Sequence, residues 1–303
     1  MKIAIMGAGA VGSYYGAIFK KHGLDVTLIT RGEHYEKINQ NGLKVESFWG
    51  NFNLNIPCFN NVDNLDPFDL IFFTTKLYSN FKSILDLKKI SNSKTIIITI
   101  QNGVSSYKEI SKEINLKNII PAATYIEAEI STPGVVLQKG SSVIIEMGEI
   151  NGEITKRIKE IKNVLSTKEL NINISENILA TLWKKMIIVG SFGTIMSSFR
   201  TSFVDLIDSD YGEEILIETM KEILSVGIAD GIDLIDVNIK QIVFDLKKEA
   251  ESMTSSMQND LINSKPLEID NILGYVVSLS KKYNISIPYS KTLVASLDKF
   301  KKG

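Results

Sequence analysis

The feature that most constrains this chain is a glycine-rich turn between a short apolar run and a helical pattern near the N-terminus. Residues 2–6 read KIAIM, which is typical of a strand, and residues 11–23 read VGSYYGAIFKKHG, a helical pattern that Gly23 can end. A second strand pattern follows at residues 25–30, so the three segments predict one βαβ unit. The turn inside this unit reads GAGAVG over residues 7–12 and fits the spacing G-x-G-x-x-G in the structural context that makes the spacing informative.

Each glycine of this turn has a physical role in phosphate binding. Gly7 permits the tight turn, Gly9 lets a pyrophosphate approach the backbone, and Gly12 lets the helix pack closely on the strand. The unpaired N–H groups and the positive dipole at the start of the helix favour phosphate oxygens. The pattern therefore predicts a dinucleotide site made of the six turn residues, which are Gly7, Ala8, Gly9, Ala10, Val11 and Gly12. The alternative is a glycine-rich strand-to-helix turn that binds no ligand.

The residue type after the second strand indicates which dinucleotide is bound. An acidic residue there would bond the ribose hydroxyls of NAD and repel a 2′-phosphate, whereas this chain has Arg31. The planar fork of an arginine can pair with that phosphate, so Arg31 predicts NADP, used as NADPH. The alternative is a solvated surface arginine in a loop.

The remaining pattern divides the chain into two domains. The runs at 69–75 and 95–100 are apolar on both faces, as in parallel strands covered by helices on both sides, and later strands are expected at 119–127 and 135–147. From about residue 175 the strand patterns largely disappear, and four segments have helical spacing: 176–199, 211–231, 237–251 and 266–284. We therefore predict an α/β fold in which a Rossmann-type doubly wound sheet (residues 1–174) precedes an all-α domain (residues 175–303).

Composition excludes several classes of function. Lys and Arg number 34 against 35 Asp and Glu, so the chain has no overall field that would attract nucleic acid or an anionic membrane. The one cysteine, Cys58, excludes an internal disulfide, and no Cys/His cluster predicts a metal site. With no signal-peptide pattern and no later run of 18 uncharged apolar residues, we expect a cytoplasmic protein with no membrane or nucleic-acid partner.

The order and spacing of six short motifs resemble the ketopantoate reductase family over nearly the whole chain. These motifs are GAGAVGSYYG at 7–16, TTK at 74–76, QNG at 101–103, LWKK at 182–185, SSM at 255–257 and LEID at 267–270. Members of that family reduce 2-dehydropantoate to pantoate with NADPH in the pantothenate pathway. The resemblance implies this reaction, a small 2-oxo acid as substrate, and a homodimer formed through the helical domain.

The resemblance assigns the proton donor to Lys185. Reduction of a 2-keto acid needs a proton donor for the developing alkoxide. The two histidines, His22 and His34, lie in the first βαβ region, which excludes a histidine acid in the helical domain. Lys185 matches the family's catalytic lysine because Trp183 sets the register, and burial would lower its pKa toward a useful value. Lys184, about 100° away on the same helix, is expected to face solvent.

Four further residues receive roles from the resemblance. Glu268, expected in the first turn of a helix after Pro266, would be catalytic by approaching the substrate hydroxyl or the lysine; its alternative role is helix capping. Ser256 would bind the substrate carboxylate, or would cap a helix. Asn102 would bond the substrate or the nicotinamide ribose, or would form an Asn-Gly turn. Lys76, on the same rim of the sheet, would lie near the cofactor and substrate, or would be an exposed rim lysine.

Three positions depart from the family pattern. Better studied members carry asparagines four and eight residues after the lysine and three before the serine, where this chain has Val189, Gly193 and Met253. A pocket without those amides should select a different substrate from one built to bond pantoate hydroxyls. Two alternatives therefore stay open: an NADP-dependent dehydrogenase of another 2- or 3-hydroxy acid or opine-like conjugate, and a non-catalytic NADPH-binding or sensor protein.

Overall fold

The computed structural model describes residues 1–303 and divides them into two compact units. The first unit contains Met1–Gln101 and Ser106–Ile178, and the second contains Asn102–Ser105 and Leu179–Gly303. The first unit combines a sheet with helices, and the second contains helices alone, which confirms the predicted fold class. The predicted assignment of cofactor binding to residues 1–174 and of substrate binding to residues 175–303 stays a prediction.

A 10-stranded sheet forms the centre of the first unit. Its strands are β1 (Lys2–Met6), β2 (Asp25–Ile29), β3 (Leu43–Ser47), β4 (Phe52–Leu54), β5 (Cys58–Phe59), β6 (Leu70–Phe73), β7 (Ile96–Thr99), β8 (Ile119–Thr132), β9 (Val135–Met147) and β10 (Asn171–Ile174). They lie in the order β4-β3-β9-β8-β7-β6-β1-β2-β5, and β10 pairs with β9. A continuous parallel part runs from β5 to β8 and includes all the predicted strands that precede β8, and β9 also pairs in parallel with β3 and β10.

Strand β8 changes character along its length. Its first residues pair in parallel with β7, and from Ala122 onward it pairs antiparallel with β9. The first six residues are buried, and the eight that follow are half-buried or exposed. This is the difference expected between a strand covered by helices on both faces and one with a solvated face.

Helix α1 lies close to the parallel strands because it carries small residues on that side. The helices of this unit are α1 (Ala10–Lys21), α2 (Gly32–Asn41), α3 (Asn80–Lys89), α4 (Ser106–Ile110) and α5 (Lys156–Leu165). A Cβ at Gly16 would lie 2.5 Å from a methyl of Leu28 on β2, so a larger residue would push the helix away. Tyr15 and Phe19 then reach the core, where the Phe19 ring lies 5.1 Å from that of Phe72.

The second unit is built around one long apolar helix. Its helices are α6 (Ile178–Phe199), α7 (Phe203–Asp208), α8 (Gly212–Ala229), α9 (Ile239–Lys248), α10 (Ser256–Ile262), α11 (Leu273–Tyr283) and α12 (Pro288–Leu297). Trp183 of α6 is 2% exposed, and a Cβ at Gly227 of α8 would lie 2.7 Å from its ring. That glycine therefore makes room for the tryptophan and sets the rotation of α6 against α8.

Helix α6 is also the one helix whose length and composition would allow it to cross a membrane. In its most apolar window, 72% of the residues are buried inside the protein. A core helix of a soluble protein passes the same test of length and composition, and the burial of this window is that of a core helix.

Candidate functional site

The glycine-rich turn joins β1 to α1, as predicted. Gly7 has a φ of +99°, and a Cβ there would lie 2.5 Å from the backbone nitrogen of Thr75. A Cβ at Gly12 would lie 2.6 Å from Oγ1 of Thr74, whose hydroxyl donates to the Gly7 carbonyl at 2.7 Å. Packing inside the first unit therefore requires glycine at both positions, and the TTK motif supplies the contacts.

Gly9 is free of these packing restraints. A Cβ there would meet only the Gly7 carbonyl oxygen, at 3.9 Å, so no protein atom requires a glycine. Gly9 is also the residue before α1, and no side chain caps this helix end. The first N–H groups of a helix have no partner within it, so those of Ala10, Val11 and Gly12 are available to an anion. An open approach beside an uncapped helix fits the pyrophosphate of a dinucleotide.

A buried histidine of α2 links this turn to the loop between β8 and β9. The backbone N–H of Gly134 donates to Nδ1 of His34 at 3.0 Å, so the proton of the neutral ring lies on Nε2. Nε2 donates to Oγ of Ser13 at 3.1 Å, and the Ser13 hydroxyl donates to the Ala8 carbonyl at 2.9 Å. Burial lowers the pKa of His34, which favours this neutral form. The chain of three bonds fixes the Ala8 carbonyl inside the turn.

Arg31 lies two residues after the end of β2 and directly precedes α2, close to the predicted end of the second strand. Its side chain is 56% exposed, and its Nη2 lies 3.2 Å from Oδ2 of Asp86 on α3. The sequence pattern predicted the position of Arg31. It did not predict helix α3, which carries the partner Asp86. Its role in binding a 2′-phosphate stays a prediction.

The TTK and QNG motifs meet at the carboxyl ends of β6 and β7. Gln101 is buried, and its Nε2 donates to the Thr75 carbonyl at 2.6 Å and to Oδ1 of Asn80 at 2.7 Å. The Ser106 hydroxyl donates to Oε1 of the same amide. Lys76, half-buried, follows Thr75 and begins a short 3₁₀ turn. The Gln101 amide therefore holds the rim on which Lys76 lies.

Lys185 and Asn102 are in contact within the second unit. The ammonium of Lys185 donates to Oδ1 of Asn102 at 2.9 Å. Removal from water lowers the pKa of Lys185 to about 8, while the nearby carboxylate of Glu268 acts in the opposite direction. Lys184 is exposed, as its place on the helix predicted, so Lys185 is the lysine of this motif that joins the cluster.

The predicted local structure around Glu268 was wrong. Helix α11 begins at Leu273, so Glu268 lies in the turn before the helix and not in its first turn. Its carbonyl accepts from the amides of Asn271 and Ile272, and its side chain is 7% exposed. The difference arises because Leu267, Ile269 and Ile272 are all buried, and the turn directs these apolar side chains into the core.

Ser256 and Ser255 lie at the start of α10 and face different surroundings. Ser256 is exposed, whereas Ser255 is 5% exposed and accepts from the amide of Gln258 at 3.2 Å. The Ser255 hydroxyl donates to the Gly193 carbonyl at 3.3 Å, and a Cβ at Gly193 would lie 3.1 Å from that hydroxyl oxygen. A buried hydroxyl therefore occupies the space next to one of the positions where the family carries an asparagine.

Four residues of these surroundings were absent from the predicted site: His34 in its linking role, Asp86, Gln101 and Ser255. Of these, Gln101 and Ser255 are the first residues of the QNG and SSM motifs, and their place in these motifs could have identified them. His34 and Asp86 gave no such signal, because their partners are distant along the chain: Gly134 for the histidine and Arg31 for the aspartate.

Comparisons with known proteins agree over the whole chain. The family model described as ketopantoate reductase PanE/ApbA matches residues 3–152, and its C-terminal counterpart matches residues 177–301. The 2-dehydropantoate 2-reductase of Pyrococcus horikoshii is 30% identical over 97% of this chain and 96% of its own length. Both units therefore have counterparts in one family.

Solved structures resemble the chain equally completely. The PanE/ApbA family ketopantoate reductase of Ralstonia eutropha JMP134 has a TM-score of 0.91 at 24% identity, covering 99% of this chain and 98% of its own. A ternary structure of D-mandelate dehydrogenase with NADH and anilino(oxo)acetate has a TM-score of 0.91 at 25% identity, and the match covers 100% of both chains. From the two family models and the full-length relative, this chain belongs to the ketopantoate reductase family.

Proposed function

We propose that this chain reduces a small 2-oxo acid with NADPH, and that 2-dehydropantoate is the first substrate to test. The observation that carries the proposal is the cluster of Lys185, Asn102 and Glu268 in the second unit. The relatives support the reaction class, since the curated relative is a 2-dehydropantoate 2-reductase and the similar dehydrogenase structure holds NADH with an oxoacetate.

Lys185 is the proton donor of this proposal. NADPH, when bound, supplies a hydride to the carbonyl carbon, and the carbonyl oxygen then needs one proton to become a hydroxyl. A lysine with a pKa of about 8 is mainly protonated near neutral pH, yet it releases its proton more readily than an ordinary lysine. The Nζ–H groups can also polarise the carbonyl before the hydride arrives.

Glu268 and Asn102 prepare the ammonium for this step. The Glu268 carboxylate raises the pKa that burial lowers, and so keeps Lys185 charged in surroundings that disfavour charge. Asn102 accepts one of the three ammonium hydrogens at 2.9 Å, which orients the others. A non-catalytic NADPH sensor would have no need of this arrangement.

The first unit would bind the cofactor. The six turn residues would hold the pyrophosphate through backbone N–H groups, Arg31 would pair with the adenosine 2′-phosphate, and Lys76 would lie near the reactive end. Arg31→Ala should weaken NADPH binding far more than NADH binding in a fluorescence titration. Equal losses for the two cofactors would contradict the proposed preference for NADPH.

The substrate is the part of the proposal with a specific rival. Val189, Gly193 and Met253 replace three asparagines of better studied members, and Ser255 fills the space beside Gly193. A wall with a hydroxyl and apolar groups favours a less polar 2-oxo acid than 2-dehydropantoate. The likeness to D-mandelate dehydrogenase supports the same second candidate, a dehydrogenase of another 2-oxo or 2-hydroxy acid.

A substrate panel separates these functions. Purified protein is mixed with NADPH and either 2-dehydropantoate or a series of 2-oxo acids with aliphatic and aromatic side chains, and NADPH absorbance is followed. We expect oxidation of NADPH by at least one of them. Turnover of other 2-oxo acids but not of 2-dehydropantoate would exclude 2-dehydropantoate as the substrate. The proposed reaction class, reduction of a 2-oxo acid, would stand. Tight NADPH binding without any turnover would favour a sensor.

A cytoplasmic location and a homodimer formed through the helical unit complete the proposal. Light scattering of the purified protein measures the mass in solution. A monomer at working concentration would contradict the dimer and leave the reaction untouched.

A further inference from the structure

The contact between Arg31 and Asp86 concerns the residue on which the proposed cofactor preference depends. Nη2 of Arg31 lies 3.2 Å from Oδ2 of Asp86, and the two side chains are 56% and 15% exposed. The arginine follows β2, whereas the aspartate belongs to α3 and is largely surrounded by protein. The carboxylate is therefore the fixed partner, and the guanidinium is the one that a ligand can reach.

The Arg31–Asp86 pair belongs to a network of ion pairs in which the charges balance. Lys89 lies 3.5 Å from Oδ1 of Asp86 and 2.9 Å from Oδ1 of Asp63. Two cations thus face two carboxylates within one surface network. A phosphate with close to two negative charges would therefore meet an arginine whose charge this network already compensates.

An arginine binds a phosphate most strongly when two parallel N–H groups of its fork are available. If Arg31 leaves Asp86 to present both, the ion pair is lost; if it keeps that bond, the phosphate comes close to the Asp86 carboxylate. Both outcomes weaken the binding of a 2′-phosphorylated cofactor. NADH has no 2′-phosphate, so neither effect applies to it.

We propose that Asp86 is a specificity-determining residue that competes with the cofactor for Arg31 and so narrows the preference for NADPH over NADH. This inference rests on the proposed role of Arg31 in binding the 2′-phosphate. It assigns the degree of cofactor discrimination to a residue on α3, outside the segment that follows β2.

The test compares Asp86→Asn with a matched control, Asp63→Asn. Both variants remove one negative charge from the same network, but Asp63 pairs with Lys89 and not with Arg31. Dissociation constants for NADPH and NADH are measured by fluorescence titration at one fixed salt concentration, and melting temperatures verify that the variants fold. An exposed ion pair contributes at most about 1 kcal/mol, so Asp86→Asn should tighten NADPH binding about threefold to fivefold. Its NADH binding, and both constants of Asp63→Asn, should change less than about twofold.

The Arg31→Ala background separates this inference from the cofactor proposal. Without the arginine there is nothing to compete for, so Asp86→Asn added to Arg31→Ala should change NADPH binding less than about twofold. An unchanged or weaker NADPH affinity in Asp86→Asn, with an NADPH-selective loss in Arg31→Ala, would overturn the role of Asp86 alone. If Asp86→Asn still tightened NADPH binding by the full factor in the Arg31→Ala background, competition between Asp86 and the cofactor for Arg31 would be overturned. Equal loss of both cofactors in Arg31→Ala would overturn the assignment of Arg31 itself.

Discussion

The two units build their candidate sites from different material. In the first unit the site is mainly backbone: a turn whose shape is set by glycines and a helix end whose N–H groups have no side-chain cap. In the second unit it consists of side chains, Lys185, Asn102 and Glu268, from three separate segments. A backbone site is specified by residues adjacent in the sequence, and it is disrupted by substitutions that add a side chain. A side-chain site is specified by tertiary packing, and it is disrupted by substitutions that remove one functional group.

The largest effect that this comparison predicts is the loss of turnover in Lys185→Ala. Removal of a general acid typically lowers the rate by about 10²–10⁴-fold. NADPH affinity should stay within about twofold, because the role proposed for the lysine is in the proton-transfer step and not in cofactor binding. Lys184→Ala, on the exposed neighbour, is the control and should keep its activity. Steady-state kinetics measures turnover, and titration measures NADPH affinity. Equal loss of turnover in Lys185→Ala and Lys184→Ala would contradict the assignment of Lys185 as the proton donor.

Two glycine substitutions test the backbone site. Gly7→Ala places a methyl 2.5 Å from the Thr75 backbone at a φ of +99°, so it should destabilise the first unit. Gly9→Ala meets no protein atom closer than 3.9 Å, so the melting temperature should be nearly unchanged. Its NADPH affinity should fall about tenfold or more, because the methyl fills the approach to the pyrophosphate. A stable Gly9→Ala protein with full NADPH affinity would show that no phosphate lies there.

The pH profile tests whether burial tunes the side-chain site. Lys185 must be protonated to act as an acid, so kcat/KM should be level below its pKa of about 8 and fall about tenfold per unit above it. The Glu268 carboxylate raises that pKa, so in Glu268→Gln the break should move to lower pH. A break at the same pH in both proteins would mean that another group is being titrated.

The smallest expected effect comes from a pair of buried serines, one in each unit. Ser13→Ala removes the hydroxyl that bonds the Ala8 carbonyl, while Ser191→Ala removes one that bonds the Ile187 carbonyl of its own helix. Each loss should cost about 1 kcal/mol of folding free energy. Only Ser13→Ala should weaken NADPH binding, by about threefold to tenfold, since it alone changes the glycine-rich turn that is proposed to bind the cofactor. Denaturant unfolding measures the folding free energies, and titration measures the NADPH affinities. Similar NADPH affinities in the two variants would contradict a role in cofactor binding for the hydrogen bonds that run through His34 and Ser13.

Prediction from the sequence succeeded where structure follows from adjacent residues. The βαβ unit, the buried strands at β6 and β7 and the long helix α6 all lie where periodicity indicated them. Short edge strands such as β4 and β5 were missed because three or two residues show no period. The expected helix at Glu268 failed because three buried apolar side chains turned the chain before α11 could begin.

What the sequence by itself determined is the glycine turn, the place of Arg31 after a strand, the order of the two units and the motifs that identify the family. These depend on backbone conformations and periodicities that neighbouring residues dictate. Only the tertiary structure decided that Asp86 holds Arg31, that His34 reaches the turn through Ser13, and that burial brings the pKa of Lys185 to about 8. Each of these depends on a contact or a loss of water between segments far apart in the chain, and no local pattern records such distances.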